Sequence, residues 1–149
     1  MKNLPTLYGE RVIMRAIKEA DIDDRLVIGR HNEFVHMCGG NSMAKSEFPE
    51  RKVWEAWFEK QKNEEFSLII EINNKCIGCA KFHHISKEDR SAVYTIGIFD
   101  PAFHSKGIGT EVTNLMLEYG FVNLGFHRIE LKVLDYNKRA IRCYEKCGF

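Results

Sequence analysis

Apolar positions along this chain either alternate or run together in short stretches, and in four places they switch to a rhythm of three to four residues. Residues 11–17 alternate, with Val12 and Met14 on one face, which predicts a first strand. Residues 21–30 open on acidic side chains that suit a helix start. Residues 31–48 are polar, contain Gly39-Gly40, and read as loop with some helix. Residues 49–62 predict a second helix, with Pro49 in its first turn and Val53, Trp57 and Phe58 on its core face. Three strands follow, over 66–72, 76–85 and 91–99, joined by an Asn73-Asn74-Lys75 turn and a charged turn at 86–90. Short links between consecutive strands predict an antiparallel meander. Residues 111–124 carry Val112, Leu115, Met116, Tyr119 and Val122 at helical spacing, with Gly125 just past the end. Alternation at 128–134 predicts another strand, reached through a parallel crossover. A last helix spans 138–146, with Asn137 as its N-cap and Gly148 as its C-cap. The class is α/β with a mixed sheet.

Composition changes this picture little. A chain of 149 residues, 44% apolar, supports one soluble domain with its own core. A net charge of +1 excludes a global field for nucleic acid or membrane surfaces. No apolar run reaches a membrane span and no signal peptide opens the chain, so a cytoplasmic location is expected. Five cysteines, an odd count, argue against a disulfide framework. Cys76-Ile77-Gly78-Cys79 has the form of a zinc or redox motif. On a regular strand, however, residues three apart face opposite ways, whereas Cys143 and Cys147 share a helix face. All are read as small buried hydrophobes, with no metal site expected.

The chemistry concentrates in His104-Ser105-Lys106-Gly107-Ile108-Gly109-Thr110-Glu111. This stretch joins a strand to a helix. Helix N-termini present unpaired N–H groups and the positive end of the dipole, and glycines let the backbone approach a phosphate. A phosphate-bearing cofactor fits here, as does a plain tight turn. The spacing is neither that of a P-loop, which also argues against a kinase, nor that of a dinucleotide-binding fingerprint.

Together with Asn137, Ala140, Tyr144, Gly148 and Phe149, this loop resembles the GNAT superfamily of acetyl-CoA-dependent N-acetyltransferases. Members carry a [Gln/Arg]-x-x-Gly-x-[Gly/Ala] loop on the pyrophosphate and, about thirty residues on, Asn-x-x-Ala-x-x-x-Tyr-x-x-x-Gly-Phe. Gly107 and Gly109 match the first pattern, and His104 departs from it. The backbone donors that follow do not depend on that side chain. The opening, Gly9 to Ala16 and then Ala20 to Asp24, resembles the branch with ribosomal-protein N-terminal and spermidine or small-amine acetyltransferases.

The resemblance implies the acyl-CoA N-acyltransferase fold, a mixed, largely antiparallel sheet flanked by helices. It implies direct acetyl transfer from acetyl-CoA to a primary amine, with no metal. The pyrophosphate would sit on backbone N–H groups of Ser105, Lys106, Gly107, Ile108, Gly109 and Thr110, beside His104. The pantetheine arm would lie along Ile96 to Ile98, with Gly97 marking a bulge that frees backbone groups and the Ile98 N–H polarising the acetyl carbonyl. Asn137 would hydrogen-bond the cofactor, and Tyr144 would protonate the departing thiolate. The general base stays open among His83, His84, Glu71, Glu33 and Tyr94.

The acceptor stays open as well, between a protein N-terminus and a polyamine or other small amine. Asp21, Asp23, Asp24, Glu33 and Glu47 could attract a polycation, or simply form a solvated face and helix starts. The alternative function is a non-catalytic acetyl-CoA-binding or regulatory module. In the family two further strands follow the Gly-Phe pair, so residues 1–149 are expected to be a single N-acetyltransferase domain, truncated at its C-terminal end. An unpaired edge strand would then bring low solubility or a homodimer, an expectation that a monodisperse, cooperatively folding monomer would overturn.

Overall fold

The computed structural model describes residues 3–40 and 46–149; the part of the expected 31–48 loop at 41–45 lies outside them. The elements are β1 (Leu7–Tyr8), β2 (Ile13–Arg15), α1 (Ala20–Ile28), α2 (Asn32–Met37), α3 (Arg51–Asn63), β3 (Phe66–Ile72), β4 (Lys75–Ser86), β5 (Ser91–Ile98), α4 (Ile108–Glu118), β6 (Arg128–Glu130) and α5 (Lys138–Lys146). One six-stranded sheet runs in chain order from β1 to β6. Its first four pairings are antiparallel, and β5 and β6 pair in parallel across the α4 crossover. Asn73 and Asn74 turn the β3–β4 hairpin with φ of 51° and 61°, left-handed values that asparagine tolerates. None of the described helices is long and apolar enough to cross a membrane.

The two faces of the sheet bury different sets. One packs Leu68, Ile70, Phe82 and Tyr94 against Val112 and Met116 of α4. The other packs Ile69, Cys76 and Phe99 toward Trp57 and Phe34, beside the Ile22, Trp54 and Phe58 cluster of α1 and α3. At the start of β4, Ile70 pairs with Gly78 but Glu71 pairs with Cys76. Ile77 is therefore an extra residue, a β-bulge. It corrects the expectation that Cys76 and Cys79 face apart, because the extra residue resets the alternation and both reach the Ile69–Phe99 side. Burial pushes the Cys76 thiol well up and that of Cys79 up to about 11, which keeps both protonated. Among the described residues no three His, Cys, Asp or Glu side chains group as metal ligands.

Other expectations shift for local reasons. Pro49 precedes the helix cap Glu50 rather than entering the first turn of α3, and Trp54 replaces Val53 on the buried face. The long helix starts at Ile108, because Gly107 is its N-cap with φ 79°. It ends in a π turn, Tyr119–Asn123, which adds a residue to that turn. Gly120 then faces inward against Ile129 and Phe82, and Val122 swings out to 74% exposure. The strand expected at 128–134 stops at Glu130, since the following residues leave the sheet and cross toward α2.

Glu111 ties α4 to the residues that lead into β2. Its Oε1 accepts the Arg11 and Val12 N–H groups at 2.8 and 3.2 Å, and Arg11 Nε donates to Oε2 at 2.8 Å. Partial burial works against this carboxylate's charge, but the Arg11 and Val12 hydrogen bonds outweigh it and its pKa is lowered. A lowered folded-state pKa gives stability that is present above the unfolded value and lost as pH falls through the folded one. Glu111→Ala is expected to lower stability by about 2 kcal/mol at pH 7, with the difference from wild type closing below about pH 4. Urea titrations at pH 7 and pH 3.5 check this, and a gap unchanged at low pH would contradict it.

Candidate active site

Past Val93 the strands β5 and β6 separate, since β6 pairs only with residues 91–93 of β5. Phe99 donates its N–H to Ile77 O at 2.7 Å, toward β4. Neighbouring residues of a strand alternate the edge to which their backbone groups point, so Ile98 turns its N–H and C=O away from β4 into the gap. The β4–β5 register runs unbroken through the Cys79–Gly97 pair. The expected bulge at Gly97 is therefore absent there, and the splay of β6 frees the backbone groups instead. Gly97 serves a close approach: a Cβ at that position would lie 3.1 Å from Phe34 Cζ.

The gap opens into a cavity of about 310 Å³. It is lined by Ile96 and Ile98, by His104, Ser105 and Gly107, and by Ile108, Gly109 and Thr110 of the first turn of α4. Asn137, the cap of α5, and Tyr144 on that helix line it too, so nearly all the residues singled out for the cofactor and for the acid meet in one place. Lys106 is the exception. It stands outside the lining, and its carbonyl accepts a 2.6 Å hydrogen bond from Arg11 Nη1.

The two glycines have separate tasks. Gly107 supplies the left-handed backbone that starts α4. Gly109 keeps space: a Cβ there would lie 3.3 Å from Cys143 Sγ on α5. The first-turn N–H groups of α4 thus face the cavity floor with the positive end of the helix dipole. His104 does not reach toward a ligand through its ring, whose Nε2 lies 2.9 Å from Ile98 O. It occupies the carbonyl of the same residue, the one that leads into Phe99, and so fixes the strand end just past the Ile98 N–H. Asn137 is also engaged: its Oδ1 accepts the Ala140 N–H at 3.2 Å as a helix cap, and its Nδ2 donates to Met37 O at 3.4 Å.

Tyr144 packs edge-on against Phe149, with ring centroids 6.0 Å apart. Burial pushes its phenol up to about 12, with the Cys143, Cys38 and Cys147 thiols adding to the effect. An ordinary thiol titrates near ~8.5, which would leave a wide mismatch with such a donor. Desolvation in the same cavity would push a departing thiolate's affinity for the proton in the same direction as the phenol's, because burial disfavours the charged form of either group.

Sequence reasoning missed the far wall. Phe34, Met37 and Cys38, from α2 and its end, close the cavity opposite α5. Loop 134–137 holds α2 there: Tyr136 stacks on His36 at 4.7 Å and donates its OH to His36 O at 2.8 Å. No periodicity in residues 31–40 announces this contact. Arg139, Arg142 and Lys146 also line the cavity, and their spacing of three and four along α5 was a usable signal of a shared cationic face. No described lining residue is Asp or Glu, so the wall is cationic and suits a ligand with phosphates.

The candidate bases are otherwise occupied. Glu71 pairs with Arg15 and lies 3.6 Å from Lys18, and Tyr94 shares a buried 3.0 Å hydrogen bond with Thr113. His83 lies 2.7 Å from His84 and 2.8 Å from Thr95, and neither histidine lines the cavity. Glu33 faces Arg139 at 3.7 Å.

Known proteins share both this fold and this sequence pattern. Residues 11–149 match the model of the acetyltransferase (GNAT) domain. The chain is 27% identical over 159 aligned residues to the spermidine N(1)-acetyltransferase of Vibrio cholerae, covering 95% of this chain and 80% of that one. Among solved structures, RimJ from Mycobacterium smegmatis in complex with CoA-disulfide superposes with a TM-score of 0.81 at 18% identity, over 97% of this chain and 75% of that one. A GNAT-family acetyltransferase from Bacillus anthracis gives 0.80 at 18% identity, over 97% and 82%. With the family model spanning nearly its whole length, the chain belongs to the GNAT family of acetyl-CoA-dependent acetyltransferases.

Proposed function

We propose that this chain moves an acetyl group from acetyl-CoA directly to a primary amine. The observation that carries this is the meeting, in one cavity, of the α4 N-terminus, the freed Ile98 backbone and Tyr144. Phosphates of the coenzyme would rest on the N–H groups from Gly107 to Thr110, with Arg139, Arg142 and Lys146 offsetting their charge. The pantetheine arm would follow the open edge of β5 as an added strand.

In the transfer step the neutral amine nitrogen attacks the thioester carbonyl carbon. The Ile98 N–H, on the residue whose carbonyl His104 engages, donates to the oxygen that gathers negative charge. The C–S bond then breaks and the sulfur takes the Tyr144 proton. The attacking nitrogen gives up its own proton to water, and Tyr144 is reprotonated from solvent. The V. cholerae enzyme named for spermidine and the RimJ structure holding CoA-disulfide support an amine acceptor and a coenzyme A donor for this chain.

Calorimetric titration tests the cofactor. Acetyl-CoA and CoA are expected to bind in the micromolar range and ATP not to bind. Gly109→Val, which pushes branched carbon toward Cys143 Sγ and into the cavity, is expected to weaken acetyl-CoA by about tenfold or more. Wild-type protein that binds neither coenzyme would overturn the proposal.

A further inference from the structure

Resting on the function proposed above, we propose that the acceptor is a monoamine on an apolar, uncharged frame, seated against Phe34 and Met37, and that polyamines are poor acceptors for this chain. A polyamine site needs carboxylates to receive the ammonium groups that do not react, because an unpaired charge held against an apolar wall loses its hydration without compensation. The five acidic residues that the sequence offered for a polycation each have a partner already. Asp21 is fully buried on Arg15, Asp23 lies 2.8 Å from Arg51, and Asp24 accepts the Cys76 N–H and lies 3.3 Å from Lys75. Glu33 faces Arg139, and Glu47 accepts from Asn32 at 3.2 Å.

The cavity's lining is of two kinds. Its cations, Arg139, Arg142 and Lys146, all project from α5 and match the phosphates of the coenzyme. Its uncharged part includes Phe34, Met37, Cys38 and Gly97, with Phe34 close against Gly97, the residue before Ile98. Behind that wall Phe99 meets Phe34 edge-on at 5.7 Å, and its ring face carries the Arg25 guanidinium 3.7 Å from the centroid. Arg25 is 5% exposed, held among Phe99, Trp54 and Trp57. The charge behind the acceptor wall is thus positive, and it disfavours further ammonium groups. Asp24 and Asp100 line a separate depression, where the Lys75 ammonium beside Asp24 already fills the role a polyamine tail would take.

Initial rates of CoA release from acetyl-CoA test this, with 2-phenylethylamine and spermidine as acceptors at equal concentration. The expected result is a kcat/KM for 2-phenylethylamine at least about tenfold above that for spermidine. Met37→Glu places a carboxylate on the same wall and leaves the Phe34–Phe99 contact in place. It should move the ratio about tenfold toward spermidine while acetyl-CoA affinity stays within about threefold. Spermidine turned over as well as or better than the aromatic amine, or neither amine turned over by protein that binds acetyl-CoA, would overturn the inference and leave the cofactor assignment standing. Failure of wild-type protein to bind acetyl-CoA would remove the proposed function, and the inference with it.

Discussion

Replacing Tyr144 by phenylalanine is expected to lower kcat by about a hundredfold or more, within the ~10²–10⁴ that a positioned general acid supplies. The ring still lines the cavity and still meets Phe149, so the dissociation constant for acetyl-CoA should stay within about twofold. The pH profile separates an acid from a merely packed ring. Burial pushes the phenol up to about 12, so it remains protonated well above neutrality. Wild-type kcat should therefore hold through alkaline pH and fall only as Tyr144 itself ionises, whereas the variant should lack that alkaline limb. Equal turnover in the two proteins would sink the acid role. Tight acetyl-CoA binding with no turnover of any amine by wild-type protein would favour a binding module.

Asp21→Ala is expected to destabilise the fold by about 3–5 kcal/mol, because it leaves a buried guanidinium without its main partner. Total stability of a domain is about 5–15 kcal/mol, so this single change is expected to bring the protein close to unfolding. Asp21 is completely buried and binds Arg15 at both oxygens, at 2.7 and 3.0 Å, while Oδ2 also accepts the Lys18 N–H at 2.8 Å. Arg15 in turn bridges to Glu71 on the neighbouring strand. Burial works against its charge, but hydrogen bonds to Asp21 and Glu71 outweigh that and its pKa is raised. Arg15 thus pins α1 to β2 and β3. The urea midpoint of Asp21→Ala, set against that of the exposed control Asp23→Ala, checks this; a difference under about 1 kcal/mol would show the pair to be dispensable.

Much of the site was legible along the chain because its parts are local. A strand end, a glycine with a left-handed backbone and the first turn of a helix lie within fifteen residues, and their physics needs no distant partner. Asn137 capping α5, and Tyr144 on one face of that helix, follow from local spacing too. Tertiary contacts decided the rest. An extra residue at Ile77 turned Cys76 and Cys79 to one side, and bulges depend on the strand opposite. His104 spends its ring on Ile98 O because the loop folds back over the strand, a contact invisible to spacing. Asp21, Asp23, Asp24 and Glu33 looked free in one dimension and are paired in three.

Alternation, helical rhythm and turn residues therefore determined by themselves the meander, the crossover and the glycine loop that starts α4, since each rests on interactions among near neighbours in sequence. The apolar wall from α2, its anchoring by Tyr136 and the raised pKa of Tyr144 were decided only by the tertiary structure. Each of those depends on desolvation and on contacts between segments about a hundred residues apart, which no local pattern encodes.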